Sequence, residues 1–315
     1  MFVKKSVFLG GILATSIFTL CFFANERNAK ISSPNHHHHH HRHNYRPEFD
    51  SSTDWHQPKI PEHLLNASQS DPELINHIRS EWIIPPSTER RSLKRPEVLH
   101  YSASNQSSIV DGILGGRTNG FFVECGAADG ETISNSLFFE KSRNWSGVLI
   151  EGYEPWFRKL LRLRRRAYAV GACLSPVKSP VLTEFVNIGY GGGMINYMKD
   201  SHLNRFGGKN RLLDKTEAMQ CLPLYSILRA IGAKHVDYFS LDIEGAELEV
   251  IKTLPLDEII VDVFTIEYIV GDVSKSRTDS VEKFRAIKDY LVGRYGYEVF
   301  HVNNFDDVYL RRKNM

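Results

Sequence analysis

The stretch FFVECGAADGETISNS, residues 121–136, decides how the chain is read. Its first five residues, apart from Glu124, are apolar or β-favouring and read as a buried strand. Glu124-Cys125-Gly126-Ala127-Ala128-Asp129-Gly130 then turns the chain, and a helix start follows. Gly126 and Gly130 let the backbone turn tightly and come close to a ligand. The turn lacks the GxGxxG spacing of dinucleotide sites and carries acids. Acids suit a ligand with an ammonium group and ribose hydroxyls, whereas phosphates need bare amide groups. A second strand ends at Glu151, about 20 residues on, where an acid holds ribose hydroxyls in this kind of fold. S-adenosylmethionine has the ammonium and the ribose, and no phosphate. The bland alternative for Glu151 is a cap on the loop before the next helix.

From about residue 98 onward, strand and helix patterns alternate. GFFVEC, GVLIEG, AYAVGAC, TEFVNI, VDYFSLDI, IIVDVFTIEY, YEVFHV and DVYLRR read as strands. Helices are expected near 132–142, 154–166, 224–231, 246–253 and 278–293. Such alternation predicts an open, mostly parallel α/β sheet with helices on both faces. The short turn at Asn303-Asn304 predicts a hairpin and one antiparallel edge strand. The strand VDYFSLDI ends at Asp242, and Glu244 and Gly245 follow, so both acids fall at the sheet edge of the first turn. A carboxylate there can orient a substrate, accept a hydroxyl proton or bind a divalent cation. Glu247 and Glu249 read as favourable charges in a first helical turn. Glu267 could point into the same crevice. GYGGGMIN, residues 189–196, reads as a mobile lid. Arg162, Arg164, Arg165 and Arg166 read as a solvated helix face, with a docking surface for anionic lipid or an acidic partner as the alternative.

The N-terminus bears on the compartment. Lys4 and Lys5 precede an uncharged run, residues 6–24, about as long as the ~20 residues a membrane helix needs. An uncleaved anchor fits better than a signal peptide, whose apolar region is shorter. The lysines put residues 1–5 in the cytosol and the rest in the lumen or outside, although Arg27 and Lys30 weaken that asymmetry. Sequons at Asn66, Asn105 and Asn144 agree with a glycoprotein. Cys173 and Cys221 are candidates for a disulfide there, or two buried thiols. Residues 25–97 read as a low-complexity stem with exposed basic residues at 88–97. It contains a His run at 36–43, read as a spacer, and a short helix at 72–83 begun by Asp71 and Pro72. The domain proper is expected over 98–315. A net charge of +2 argues against nucleic acid as the main partner.

FVECGAADGE, VLIEG, LPLYSIL, FSLDIEGAELEVIK and IEY resemble the FkbM-type methyltransferase family. More narrowly, DPELINHIRSEWIIPPS, ECGAADGETISNSLFFE, GACLSP and QCLPLYSIL resemble its animal, Protein Star-like branch. The resemblance implies a class I, Rossmann-like S-adenosylmethionine-dependent fold. It implies donor contacts from Glu124, Gly126, Ala127, Asp129, Gly130 and Glu151, with Asp242 and Glu244 beside the transferred methyl. For the Star-like branch it implies a membrane protein of the endoplasmic reticulum, Golgi or endosome that helps export growth-factor precursor cargo. The alternative is an active O-methyltransferase on a glycan or other hydroxyl compound. The chain departs from relatives at Gly152-Tyr153-Glu154-Pro155, where they place a small residue, an acid and Pro directly.

Overall fold

A computed structural model describes residues 55–268, 277–302 and 307–313. All belong to one compact unit, Glu48–Met315. The expected anchor at 6–24, the His run and the turn at 303–304 lie outside the described residues. Among the described residues no helix is long and apolar enough to cross a membrane.

The main sheet has eight strands in the order β1-β4-β3-β2-β8-β9-β11-β10. In chain order these are β1 (Ile83–Ile84), β2 (Phe121–Cys125), β3 (Ser146–Ile150), β4 (Tyr168–Val170), β8 (His235–Leu241), β9 (Ile260–Glu267), β10 (Tyr297–Val302) and β11 (Asp307–Arg312). The five central strands, from β4 to β9, run parallel. They are apolar almost throughout, as strands covered on both faces must be. Phe122, Val123, Val148, Leu149, Tyr238, Leu241, Val263 and Phe264 are all fully or nearly fully buried. The antiparallel strand is β11, which inserts between β9 and β10. The expected antiparallel edge strand is thus an inner one, because β11 folds back into the gap beside β9. The opposite edge is β1, which pairs antiparallel with β4.

Three further strands form a small second sheet, β5-β7-β6: β5 (Cys173–Leu174), β6 (Val181–Val186) and β7 (Thr216–Leu222). The single strand expected at AYAVGAC therefore divides into β4 and β5, which belong to different sheets. Gly171 lies between them, and a Cβ there would sit 2.1 Å from the Trp55 ring. β7 is a strand that the pattern of the sequence does not announce.

Helices α1 (Pro72–His77), α2 (Gln106–Ile113), α3 (Leu137–Ser142), α4 (Glu154–Arg162), α5 (Asp200–Arg205), α6 (Lys209–Leu213), α7 (Leu224–Ile231), α8 (Glu247–Thr253) and α9 (Arg277–Tyr295) connect the strands. The expected helix at 72–83 forms α1, continued by a wider π turn to Trp82. Asp71 caps it by accepting from the Glu73 and Leu74 amides at 2.7 and 3.3 Å. Asp71→Ala is expected to cost about 1 kcal/mol in urea denaturation. Leu74, Ile78 and Trp82 bury their apolar face in the main core together with Ile60 and Leu64. Gln57 donates to the Gly171 carbonyl and accepts from the Gln220 amide. Residues 55–84 therefore act as part of the folded unit rather than as a stem.

Candidate functional site

Strand order reverses between β2 and β8, and open α/β sheets bind ligands beyond the carboxyl ends of strands at such a point. Gly126 leaves β2, Glu151 leaves β3, Asp242 leaves β8 and Glu267 closes β9, so one sheet edge carries them all. A cavity opens there, lined on the cradle side by Gly126, Ala128, Glu151 and Tyr153 and on the far side by Asp242 and Glu244. Gly126 has φ +77°, and a Cβ at that position would lie 1.9 Å from the Asp242 carbonyl oxygen. The first turn and the end of β8 are therefore in backbone contact.

Glu151 is the cradle acid that faces this cavity. Its carboxylate accepts from the Ala128 amide and from the Tyr153 amide, both at 2.7 Å. Burial raises its pKa to about 7, against the opposite pull of those amides. Each oxygen keeps a lone pair for a ligand hydroxyl. Glu151 thus ties the loop through the Tyr153 amide, as its capping reading expects, and also lines the pocket.

The other expected donor residues are placed differently. Glu124 points away from the cavity into a buried polar knot, where Ser134, Ser136 and the Asn135 amide donate to it. Burial pushes its pKa up, with Arg165 opposing. Asp129 accepts from the Glu131 and Thr132 amides at 3.0 and 2.7 Å and from the Thr132 hydroxyl at 2.9 Å. It ties the turn to itself and does not line the cavity. Ala127 is buried in the core, and its neighbour Ala128, at φ 48°, lines the pocket instead. Gly130, at φ +78°, faces Leu160 of α4, where a Cβ would come within 2.9 Å of the Leu160 Cγ. These four residues shape the cradle and do not line the cavity in this arrangement.

A third part of the wall combines the expected glycine loop with Trp156, which no feature of the sequence singled out. Trp156 of α4 and Tyr190 of the glycine loop lie with ring centroids 4.7 Å apart across the mouth. Gly189, Tyr190, Gly192 and Met194 all line the cavity, so the glycine loop lies over the pocket as a lid would. In this closed arrangement the cavity is about 80 Å³, too small for a nucleoside. The Trp156 indole nitrogen is buried with no acceptor, an unmet donor in the wall.

The floor is the second sheet. Cys173 and Cys221 stand opposite each other on β5 and β7 and form a disulfide. Cys173 lines the cavity. A Cβ on Gly152 would meet the Met219 sulfur at 2.8 Å and the Cys173 amide at 3.2 Å, which explains a glycine after the second-strand acid.

Glu244, at φ 63°, lies in the wall between this cavity and a second one of about 380 Å³. His202 of α5 approaches its carboxylate at 3.4 Å and reaches the Gly191 carbonyl at 3.0 Å through its other nitrogen. Burial lowers the His202 pKa. Asp242, Glu244 and Glu267 each bring an oxygen within 4.8 Å of the others, a set able to hold a divalent cation. Lys283 of α9 already reaches Glu267 at 3.2 Å and Glu247 at 2.8 Å. Glu247 stands in the first turn of α8 as expected, but it is fully buried and accepts from the Ile243 and Gly245 amides. It holds the loop that presents Glu244.

The three sequon asparagines are exposed, and Asn144 donates to Asn119 at 2.6 Å. No curated protein matches the chain. A solved methyltransferase FkbM from Methylobacillus flagellatus KT aligns over 61% of this chain and 43% of its own length, with 14% identity and a TM-score of 0.40. The chain thus spans less than half of that relative. The model of the methyltransferase FkbM domain matches residues 124–299, from the buried acid of β2 to the middle of β10, and on that match the protein belongs to the FkbM methyltransferase family.

Proposed function

We propose that the domain binds S-adenosylmethionine and transfers its methyl group to a hydroxyl presented from the second cavity. The observation that carries this reading is Glu151, a buried acid with a pKa of about 7, held by two amides in the cavity wall. Such an acid repels phosphate and accepts from hydroxyls. The unmet Trp156 indole donor in the same cavity asks for a polar ligand atom as well.

When bound, S-adenosylmethionine supplies a methyl group already activated by its sulfonium. The chain's own residues then have four tasks. Glu151 accepts from the ribose hydroxyls, and the Ala128 and Tyr153 amides hold it in place. Tyr190 and Trp156 exclude water once the glycine loop closes. Alignment of methyl and hydroxyl does most of the rest. Glu244, common to both cavities, is placed to take the hydroxyl proton, and the loop carrying it is held by Glu247. A divalent cation on Asp242, Glu244 and Glu267 would serve the same end, and activity that survives a chelator would exclude it.

Calorimetric titration of the full-length protein with S-adenosylmethionine tests the reading. No binding at millimolar donor would sink it. Glu151→Gln sets an amide donor against the amides of Ala128 and Tyr153, and is expected to weaken donor binding by about 10- to 100-fold. Hydroxyls bind the charged carboxylate better. Wild-type affinity should therefore fall as pH drops through about 7, while the Gln variant stays flat.

A second reading has its own support. The Cys173–Cys221 disulfide suits an oxidising compartment, as do the anchor expected at 6–24 and the exposed sequons. S-adenosylmethionine is made in the cytosol, so a lumenal domain of this kind could serve as a scaffold for precursor cargo in secretory or endosomal trafficking. Export that persists in cells carrying Glu151→Gln would favour the scaffold.

A further inference from the structure

The two basic stretches that the sequence keeps apart, 88–97 and 162–166, meet in space. The Ser87 amide donates to the Arg165 carbonyl at 3.0 Å, and the Ser92 amide to the Leu163 carbonyl at 2.8 Å. Glu131 accepts from the Lys94 and Arg95 amides at 2.8 and 2.7 Å. The connector is thereby pinned along the loop after α4. Between them opens a cavity of about 460 Å³ lined by Arg90, Arg91, Lys141 and Arg166, with Ser92 and Pro96. Its lining has four cationic side chains and no carboxylate.

The charge is poorly cancelled. Glu140 is the acid bonded to the cluster, and it is already shared. It pairs with Arg91 at 3.0 Å and with buried Arg165 at 2.6 Å, and it accepts from the Arg166 amide at 3.0 Å. Glu89, beside Arg90 in sequence, pairs instead with Arg164 at 2.7 Å. Lys141 is held by neutral acceptors only, the Pro96 and Val98 carbonyls and the Tyr101 hydroxyl. Among the described residues, the side chains of Arg90, Arg166 and Lys141 have no carboxylate partner. A chain with a net charge of only +2 thus gathers four cations around one hollow.

We propose that this hollow binds a multivalent ester oxyanion, a phosphate or sulfate group carried on a soluble polyol. Guanidinium forks match such oxygens bidentately, and Lys141 adds a point charge fixed in place by its three neutral acceptors. The concave shape, built from the connector, α3 and the loop after α4, suits a compact headgroup better than a flat lipid surface. None of its residues lines the donor cavity, so it is a separate site.

The test uses the full-length protein with inositol hexakisphosphate and sucrose octasulfate as probes, by calorimetry at low salt. Binding of either probe is expected, weakened at least about tenfold in Arg90→Gln/Arg166→Gln. Both side chains are exposed, and an unchanged melting temperature and donor affinity would show that the fold is intact. Lys209→Gln/Arg211→Gln removes two exposed charges elsewhere and should leave probe binding unchanged. Failure of both probes to bind overturns the proposal. So does equal weakening by the two double variants, which would mean diffuse attraction. Recruitment to vesicles with one-fifth anionic lipid that needs Arg90 and Arg166, with no binding of soluble probes, would also overturn it in favour of a membrane-facing patch.

Discussion

Replacing Gly126 with Ala is expected to cost about 4 kcal/mol or more of stability and to abolish binding of S-adenosylmethionine. Two effects combine. The left-handed backbone at φ +77° costs a Cβ-bearing residue about 1 kcal/mol or a little more. The larger effect is steric, because the new Cβ would lie 1.9 Å from the Asp242 carbonyl oxygen. That oxygen belongs to backbone and cannot rotate away. Relief requires β2 and β8 to separate at the switch point, which displaces Asp242 and opens the cradle. Gly232 provides the control. It has the same φ of +77° at the end of α7 but nothing within 4 Å of its Cβ position. Gly232→Ala should cost only about 1 kcal/mol. Equal losses for the two variants in urea denaturation would show that the turn is not held against Asp242.

This contact marks the boundary of what the sequence could reveal. The parallel strands are legible because burial on both faces leaves continuous apolar runs, as in β2, β8 and β9. The acid at the end of β3 is legible because its spacing from the turn follows from one helix and one strand of ordinary length. The direction of each carboxylate is not. Glu124, Asp129 and Glu151 are alike in a string of letters. Of the three only Glu151 faces the cavity, because Ser134 and Ser136 turn Glu124 inward and the Thr132 amide and hydroxyl hold Asp129. The second sheet is hidden for a related reason. β5 has two residues and β7 carries polar Thr216, Glu217 and Gln220, so neither shows the periodicity of a strand. Only Arg162 of the arginine run falls on α4, and Arg165 is buried rather than solvated, because Glu140 and the Gly130 carbonyl receive its guanidinium.

Lys283→Met is expected to destabilise the protein by about 3–5 kcal/mol at neutral pH, since it leaves buried carboxylates without their cation. The Lys283 ammonium lies 2.8 Å from Glu247 and 3.2 Å from Glu267. Burial pushes the Glu267 pKa well up, with Lys283 opposing and Glu244, Asp242 and Glu247 adding to the rise. Burial also acts to raise Glu247, but there Lys283 and the backbone amides win and the pKa is lowered. Without the lysine both carboxyls should titrate above their unfolded values. The folded variant would then hold protons that the unfolded chain has released, and its stability would fall as pH rises above the unfolded carboxyl range. The loss relative to wild type should therefore be smaller at pH 5 than at pH 8 in urea denaturation. A pH-independent loss would mean that Lys283 contributes packing rather than charge. The consequence reaches the site through Glu247, which holds the Ile243 and Gly245 amides on either side of Glu244. Where the variant stays folded at pH 8, with Glu151 charged, it should still bind donor but turn over slowly, because the loop presenting the proton acceptor has lost its anchor.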